Sequence, residues 1–372
     1  MKIKKHVCSA ILIASISSYT AQDTQDFSYT FTPRIELTET SVKSQDRTGT
    51  CWSYSASSFL ESEAARISGH VVDLSEMATV RYTYPLKATM YIRLQGNHQF
   101  SAGSLAHDVI NAASGWGLVP QNVYTGLKDG ETVHDHDAMD KALKAAVDSI
   151  LTKPSGKIDL YWMKDIDEIL DEHIGVAPVD FVYEGETYTP ETFRDYLGID
   201  PYSYINITSF THHPFGKKFI LEIPDNFSRG EFFNVPIDEM QRVVEGALSA
   251  GYTVAWDADV SEKGFSFSHG VALLPAKGEE EKLWKEEIVE EVVTQESRQI
   301  GFENQTTTDD HLMHITGLAT DQSGNKYFII KNSWGQNNPY GGHQYISMAY
   351  FRAKTIAILV NNEAVASAFQ GK

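Results

Sequence analysis

The chain has 372 residues, 42% hydrophobic and 22% charged, which is enough apolar material for one large enzyme core and argues against disorder. Its formal net charge of −19 would repel nucleic acid and anionic lipid. No basic stripe with interleaved aromatics offsets that charge, so a nucleic-acid function is excluded.

Residues 1–21 read as an export signal. Lys2, Lys4 and Lys5 give a basic start, Val7 to Ile16 form an apolar run, and the small residues Ser17, Ser18, Thr20 and Ala21 follow. The run is too short to span a membrane, and no other run approaches spanning length. The mature chain, residues 22–372, is then expected in the periplasm or outside the cell. Of the two cysteines, Cys8 leaves with the signal and Cys51 remains alone. Exported proteins tend to use cysteine in pairs, so a lone thiol points to chemistry, with a buried small hydrophobe as the alternative.

Residues 22–44 are polar and irregular. Trp52 to Arg66 reads as a helix, from the spacing of Ala56, Phe59, Leu60 and Ala64. Ser104 to Ser114, stopped by Gly115 and Gly117, is a second helix, and Asp137 to Leu151 a third. Strands are expected at Tyr252–Asp257, Val271–Leu274, Met313–Leu318 and Tyr327–Lys331, with a hairpin turn at Asp321–Asn325. The acidic, amphipathic stretch Glu279–Val293 is expected to be a solvated helix or an excursion. Helices first and strands later give an α+β architecture.

Cys51 stands where the first helix begins, and Thr48 and Gly49 supply the turn into it. Unpaired amides and the positive end of the helix dipole favour a thiolate there. An oxyanion formed by attack on a carbonyl needs donors. The Cys51 N–H offers one and the Gln45 side-chain amide the other, unless Gln45 is an ordinary loop residue. Among thirteen histidines, His311 begins an apolar strand, and Asn332 ends the next one twenty-one residues on. A hairpin can bring them together, so that His311 acts as base and Asn332 orients it, with Trp334 covering the pair from water. The alternative for Asn332 to Gly335 is a plain strand-ending turn. His314, three residues after His311, falls on the other side of a strand and is expected to be packed or at the surface. His269 is the runner-up base but has no such partner. The His134-Asp135-His136-Asp137 run is expected to be a solvated loop and helix cap rather than a metal site. No metal or cofactor is needed.

Together, Gln45 with Cys51-Trp52, His311 ahead of an apolar strand, and Asn332-Ser333-Trp334-Gly335 resemble the papain clan of cysteine peptidases. The chain has Thr48-Gly49-Thr50-Cys51-Trp52 where the papain subfamily has Cys-Gly-Ser-Cys-Trp. Its His and Asn lie about 260 and 280 residues after Cys51, beyond the ~130–150 usual for that subfamily. Both departures resemble the aminopeptidase C/bleomycin hydrolase branch, as do Tyr188-Thr189-Pro190-Glu191-Thr192-Phe193, His213-Pro214-Phe215 and Thr307-Thr308-Asp309-Asp310-His311. The resemblance runs from about Ser41 to Val360. It implies a two-lobed papain-like fold, with a helical lobe carrying the nucleophile and an antiparallel β-barrel-like lobe carrying His and Asn. It also implies an insertion at about 125–250, peptide substrates, and catalytic roles for Cys51, His311, Asn332 and Gln45. The family's glycine-rich, substrate-pairing stretch falls at Ser101-Ala102-Gly103-Ser104, so Ala102 and Gly103, with Trp334, are expected to touch substrate. That family forms a hexameric ring, which makes a homo-oligomer an expectation. It also folds its C-terminal arm into the cleft, restricting substrates to free N-termini. The tail here, Ser367 to Lys372, differs from that arm. Beside an aminopeptidase stand an exported endopeptidase of the same fold and a non-enzymatic peptide-binding protein.

Overall fold

The computed structural model describes residues 29–152, 158 and 161–369. The export signal expected at residues 1–21 lies outside the described residues. The first half of the chain holds strand β1 (Thr32–Glu36) and helices α1 (Cys51–Ser68), α2 (Glu76–Arg93), α3 (Ala106–Gly115), α4 (Asp137–Leu151) and α5 (Trp162–Ile174). A small hairpin, β2 (Phe181–Tyr183) and β3 (Glu186–Tyr188), precedes α6 (Pro190–Tyr196). Next come β4 (Tyr204–Thr208), β5 (Lys218–Ile220), β6 (Glu231–Asn234), α7 (Ile237–Ser249), β7 (Val254–Ala258), β8 (Phe265–Ser266) and β9 (Val271–Ala272). The chain closes with α8 (Gln295–Glu303), β10 (His311–Thr320), β11 (Lys326–Lys331), β12 (His343–Ser347), α9 (Met348–Lys354), β13 (Thr355–Asn361) and α10 (Asn362–Phe369).

The α+β order expected from the sequence is the order observed. All strands but β2 and β3, which pair with each other, form one sheet in the order β5-β6-β4-β13-β7-β10-β11-β12-β9-β8, with β1 added against β10. Pairing is antiparallel except for β12 with β9 and β4 with β6. The lobe expected to be barrel-like is therefore an open sheet, because its ends β5 and β8 do not pair with each other.

Alternation along the central strands separates the two largest of three cores. Ala255, Leu312, Ala357 and Leu359 join the core that holds Trp52, Phe59 and Leu60 of α1. Val254, Trp256, Met313, Ile315 and Ile358 point the other way, to Met240, Val243 and Val244 of α7. Helix α10 packs on α7, with Ala364 buried in that second core. The described C-terminal residues thus lie on the sheet face opposite α1.

Of the two readings for Glu279–Val293, the excursion is the one observed, with a single 3-10 turn at Glu280–Lys282. Its acids do not all face water, since the Leu274 N–H and the Ser347 hydroxyl both bond Glu290. The strand expected at Val271–Leu274 shortens to Val271–Ala272. Helix α2 was not anticipated, because it buries Glu76, Thr79, Thr83 and Lys87 along with its apolar residues and contains Pro85, which blurs the helical period.

Candidate active site

The site forms where α1 meets the start of β10. Cys51 is the first residue of α1 and its side chain is buried. The Leu312 N–H reaches the Cys51 sulfur, and Ser55 Oγ donates to the Met313 carbonyl at 2.6 Å. These bonds hold the helix start beside the residue that follows His311.

His311 Nε2 donates to Asn332 Oδ1 at 2.8 Å. Asn332 Nδ2 donates to Gln344 Oε1 at 2.6 Å, and the Ser333 N–H bonds Asn332 Oδ1 at 2.7 Å. With Nδ2 committed to Gln344, Oδ1 is the atom that meets the imidazole. Nε2 must then carry the proton, and Nδ1 keeps a lone pair. The Trp334 ring stacks on His311 at 4.6 Å and 28°. It is 37% exposed, so its outer face is open to solvent. The expected hairpin, β10 with β11, is what joins His311 to Asn332.

A second stitch brings the nucleophile loop to the Asn332 turn. The Gln45 N–H donates to the Ser333 carbonyl at 2.8 Å, and the Gly335 N–H donates to the Lys43 carbonyl at 3.1 Å. Ser333 Oγ donates to Gln45 Oε1 at 2.6 Å, while Gln45 Nε2 donates to the Thr48 carbonyl at 2.7 Å. Both ends of the Gln45 amide are thereby oriented, and Nε2 retains a second hydrogen.

Ala102 and Gly103 pack on the same loop. Trp52 Nε1 donates to the Ala102 carbonyl at 3.0 Å. A Cβ on Gly49 would come within 2.7 Å of the Ala102 Cβ, so this approach requires glycine at 49. A Cβ on Gly103 would fall 1.9 Å from Asp225 Oδ2, and Lys87 Nζ donates to the Gly103 carbonyl.

Burial governs the charges. It pushes the Cys51 thiol up to about 12, with a small opposing pull from the Leu312 N–H. It pushes His311 down to about 4, against the Asn332 bond, which favours the protonated ring. At rest the thiol and the imidazole are both favoured in their uncharged forms.

The other histidines are placed too. His314 is fully buried and bonded through Nδ1 to Ser58 at 2.8 Å, on the α1 side, which is the packed alternative. His269 bonds Ser266 and stacks on Trp284. His134 and His136 are buried rather than solvated. Their segment pairs with the nucleophile loop: the Arg47 N–H donates to the His134 carbonyl, and the His136 N–H donates to the Arg47 carbonyl. Asp46 and Asp135 add bonds to the His134 N–H and to Arg47.

Among the described residues, the groups gathered closely enough to hold a metal are His212, His213 and Glu222, and Glu61, Asp73 and Glu76. Gln299 donates to His212 Nδ1, and the Gln299 oxygen is fixed by the Thr211 N–H. His212 Nε2 therefore carries its proton and donates toward Glu222, which does not suit a metal ligand. Lys43 pairs with all three carboxylates of the other group.

Sequence reasoning missed Gln344, Ser333 and the 134–136 segment as parts of the site. A glutamine alternating with Ile346 in β12 was a signal for the first; the others depend on long-range pairing.

A family model described as "Peptidase C1-like family" matches residues 125–371, which include His311 and Asn332 but not Cys51. The structure superposes on PepW from Lactobacillus rhamnosis HN001 with a TM-score of 0.70 at 17% identity, covering 91% of this chain and 85% of that one. A looser superposition, TM-score 0.40 at 14% identity, is with the bromelain protease of Ananas comosus and covers 86% of this chain and 92% of that one. No curated protein matches.

Proposed function

We propose, for a chain that belongs to the Peptidase C1-like family and has a papain-like cysteine peptidase fold, that Cys51 hydrolyses peptide bonds with His311 as base and Asn332 as its orienting partner. The observation that carries this reading is the His311–Asn332–Gln344 chain of hydrogen bonds, which leaves the His311 Nδ1 lone pair to act as the base.

In the proposed reaction, Cys51 sulfur attacks the carbonyl carbon as its proton passes to His311 Nδ1. Burial disfavours either charge alone, and the transfer sets the two opposite charges side by side. The carbonyl electron pair moves onto oxygen, where the Cys51 N–H and the second Gln45 Nε2 hydrogen are candidate donors. The C–N bond breaks, the amine leaves with the His311 proton, and a thioester remains. Water gives a proton to His311 and its hydroxyl to the acyl carbon, and sulfur departs as thiol. Ala102 and Gly103 offer backbone for pairing with the substrate. Trp334 shields the His311–Asn332 bond.

The finer reading is an aminopeptidase, supported by the segment resemblance to the aminopeptidase C/bleomycin hydrolase branch. The placement of α10 on the α7 face favours a second reading, an open-cleft endopeptidase. Assays of an aminoacyl fluorogenic amide with a free amine and of the N-acetylated form separate the two. Cleavage of only the free-amine substrate is expected, and turnover of the blocked one would establish the endopeptidase. Cys51→Ala is expected to abolish turnover of either; retained hydrolysis would reject the mechanism. Export is part of the same proposal, and N-terminal sequencing of protein from extracytoplasmic fractions, expected to begin after Ala21, tests it.

A further inference from the structure

His343 stands between the two residues that hold Asn332. The Gly342 carbonyl before it accepts the Asn332 N–H at 3.3 Å, and Gln344 Oε1 after it accepts from Asn332 Nδ2 at 2.6 Å. The His343 ring is itself held from both sides. Its Nδ1 lies 3.1 Å from the Tyr340 carbonyl, and its Nε2 lies 2.5 Å from Glu39 Oε1. A carbonyl oxygen can only accept, so Nδ1 carries a proton. A second proton lies in the Nε2–Glu39 bond, and it resides on the ring because imidazole is a stronger base than carboxylate. His343 is therefore an imidazolium paired with Glu39.

Glu39 lies on the segment that leads to Gln45 and Cys51. That segment runs along the Asn332 turn. Thr40 Oγ1 accepts from Lys331 Nζ at 2.9 Å, and the Val42 carbonyl accepts from Gln336 Nε2 at 3.3 Å. A Cβ on Gly342 would come within 2.5 Å of Val42 Cγ1. The His343–Glu39 pair adds a charged link to this seam. Its side chains are 26% and 21% exposed, so the pair exchanges protons with solvent. The other Glu39 oxygen is buried and has no hydrogen-bond partner among the described residues. Lys331 of β11, opposite His343 in register, and His314 of β10 also bear on the ring. Burial opposes the ring's charge, as does Lys331, but the Glu39 and Tyr340 bonds outweigh them and hold the ring above its ordinary value. When the Nε2 proton leaves, a lone pair faces a carboxylate, and attraction gives way to repulsion.

We propose that His343 and Glu39 are a proton-dependent positioning pair, which holds Gly342 and Gln344 against Asn332 while His343 is charged and releases them at alkaline pH. The sign follows from the direction of the shift. A ring held above its ordinary value contributes fully below about pH 6.5, and the contribution is lost as pH rises through the raised value. The consequence for turnover rests on the peptidase reading, since Asn332 acts there through His311. The proton on His343 and the hold on Asn332 do not.

The test is an NMR titration of the full chain, following the His343 ring and the Asn332 side-chain amide, with His343→Gln to assign the ring. The ring is expected to titrate above about 6.5, and the Asn332 amide signals to shift with the same midpoint. In Glu39→Gln both midpoints should fall together toward the ordinary value. A ring that titrates at or below that value in the wild-type chain overturns the proposal. So does an Asn332 amide that stays unmoved while the ring titrates, and neither result requires the variants to fold. In peptide hydrolysis, kcat is expected to fall about tenfold across that same midpoint while KM stays level, and Glu39→Gln should move the limb to lower pH. A purely structural ion pair would change the amount of folded enzyme without moving a midpoint. An alkaline limb that Glu39→Gln leaves in place also overturns the proposal. Absence of any hydrolysis by the wild-type enzyme would instead overturn the peptidase reading, and the two NMR midpoints would still decide the positioning pair.

Discussion

The two faces of the central sheet are built differently. The face toward α7 is mostly apolar: Val254, Trp256, Met313, Ile315, Phe328 and Ile330 pack on Met240, Val243 and Val244, with the buried amide Gln344 beside Ile330. The face toward α1 interleaves apolar contacts with Asp257, His314, Ser55, Ser58 and Lys331. Both faces are served by the same strands, β7 and β10, through odd and even positions. The apolar face can supply stability through area removed from water. The polar face spends part of that stability on groups that are expensive to bury, and the candidate site stands at the edge of the sheet, where α1 meets the start of β10 and where His311 and Gln344 have the register parity of the other face.

If this division holds, substitutions on the two faces should fail in different ways. The largest effect is expected from Phe328→Ala on the apolar face, a loss of about 3–5 kcal/mol in denaturant unfolding. The remaining folded protein should keep its wild-type kcat. Reduced kcat in the folded fraction would show that the faces are not separable. Gln45→Ala on the site side should do the reverse, lowering kcat about 100- to 1000-fold, as loss of an oxyanion donor does. Its thermal midpoint should change far less than that of Phe328→Ala. A Gln45→Ala enzyme with normal kcat would remove Gln45 from the site.

Gln344→Ala sharpens the comparison from the other side, because Gln344 is a buried polar group beside Ile330 on the α7 face. Without its acceptor, the Asn332 amide is free to turn, and kcat is expected to fall about tenfold while KM stays near its wild-type value. Burial also makes a prediction about pH. The His311 base works only when neutral, and its pKa is lowered to about 4. The acid limb of kcat/KM should therefore lie below the ordinary histidine value of about 6.5. A limb at or above that value would mean that burial does not govern this ring.

The sequence located much of this. The helix that starts at Cys51, the His311 strand and the Asn332 turn were legible because each leaves a local mark: a turn before an apolar period, or a strand ending in a tight polar run. Helix α4 matched its expected limits, Asp137–Leu151, because an amphipathic surface helix shows its period. Helix α2 did not, since burial on several sides removes the contrast that periodicity needs. In the His134–Asp137 run, Asp135 and Asp137 are exposed as expected, but His134 and His136 are buried because the segment pairs with Arg47, a contact across eighty-eight residues of chain.

By itself, the sequence determined which side chains are available for chemistry: a lone thiol beyond the expected signal, a histidine at a strand start, and an asparagine at a strand end. Tertiary structure decided the rest. It set the ring tautomer through Gln344 and the orientation of the Gln45 amide through Ser333. These depend on strand register and on contacts between distant segments, where a shift of one residue would turn each side chain to the opposite face.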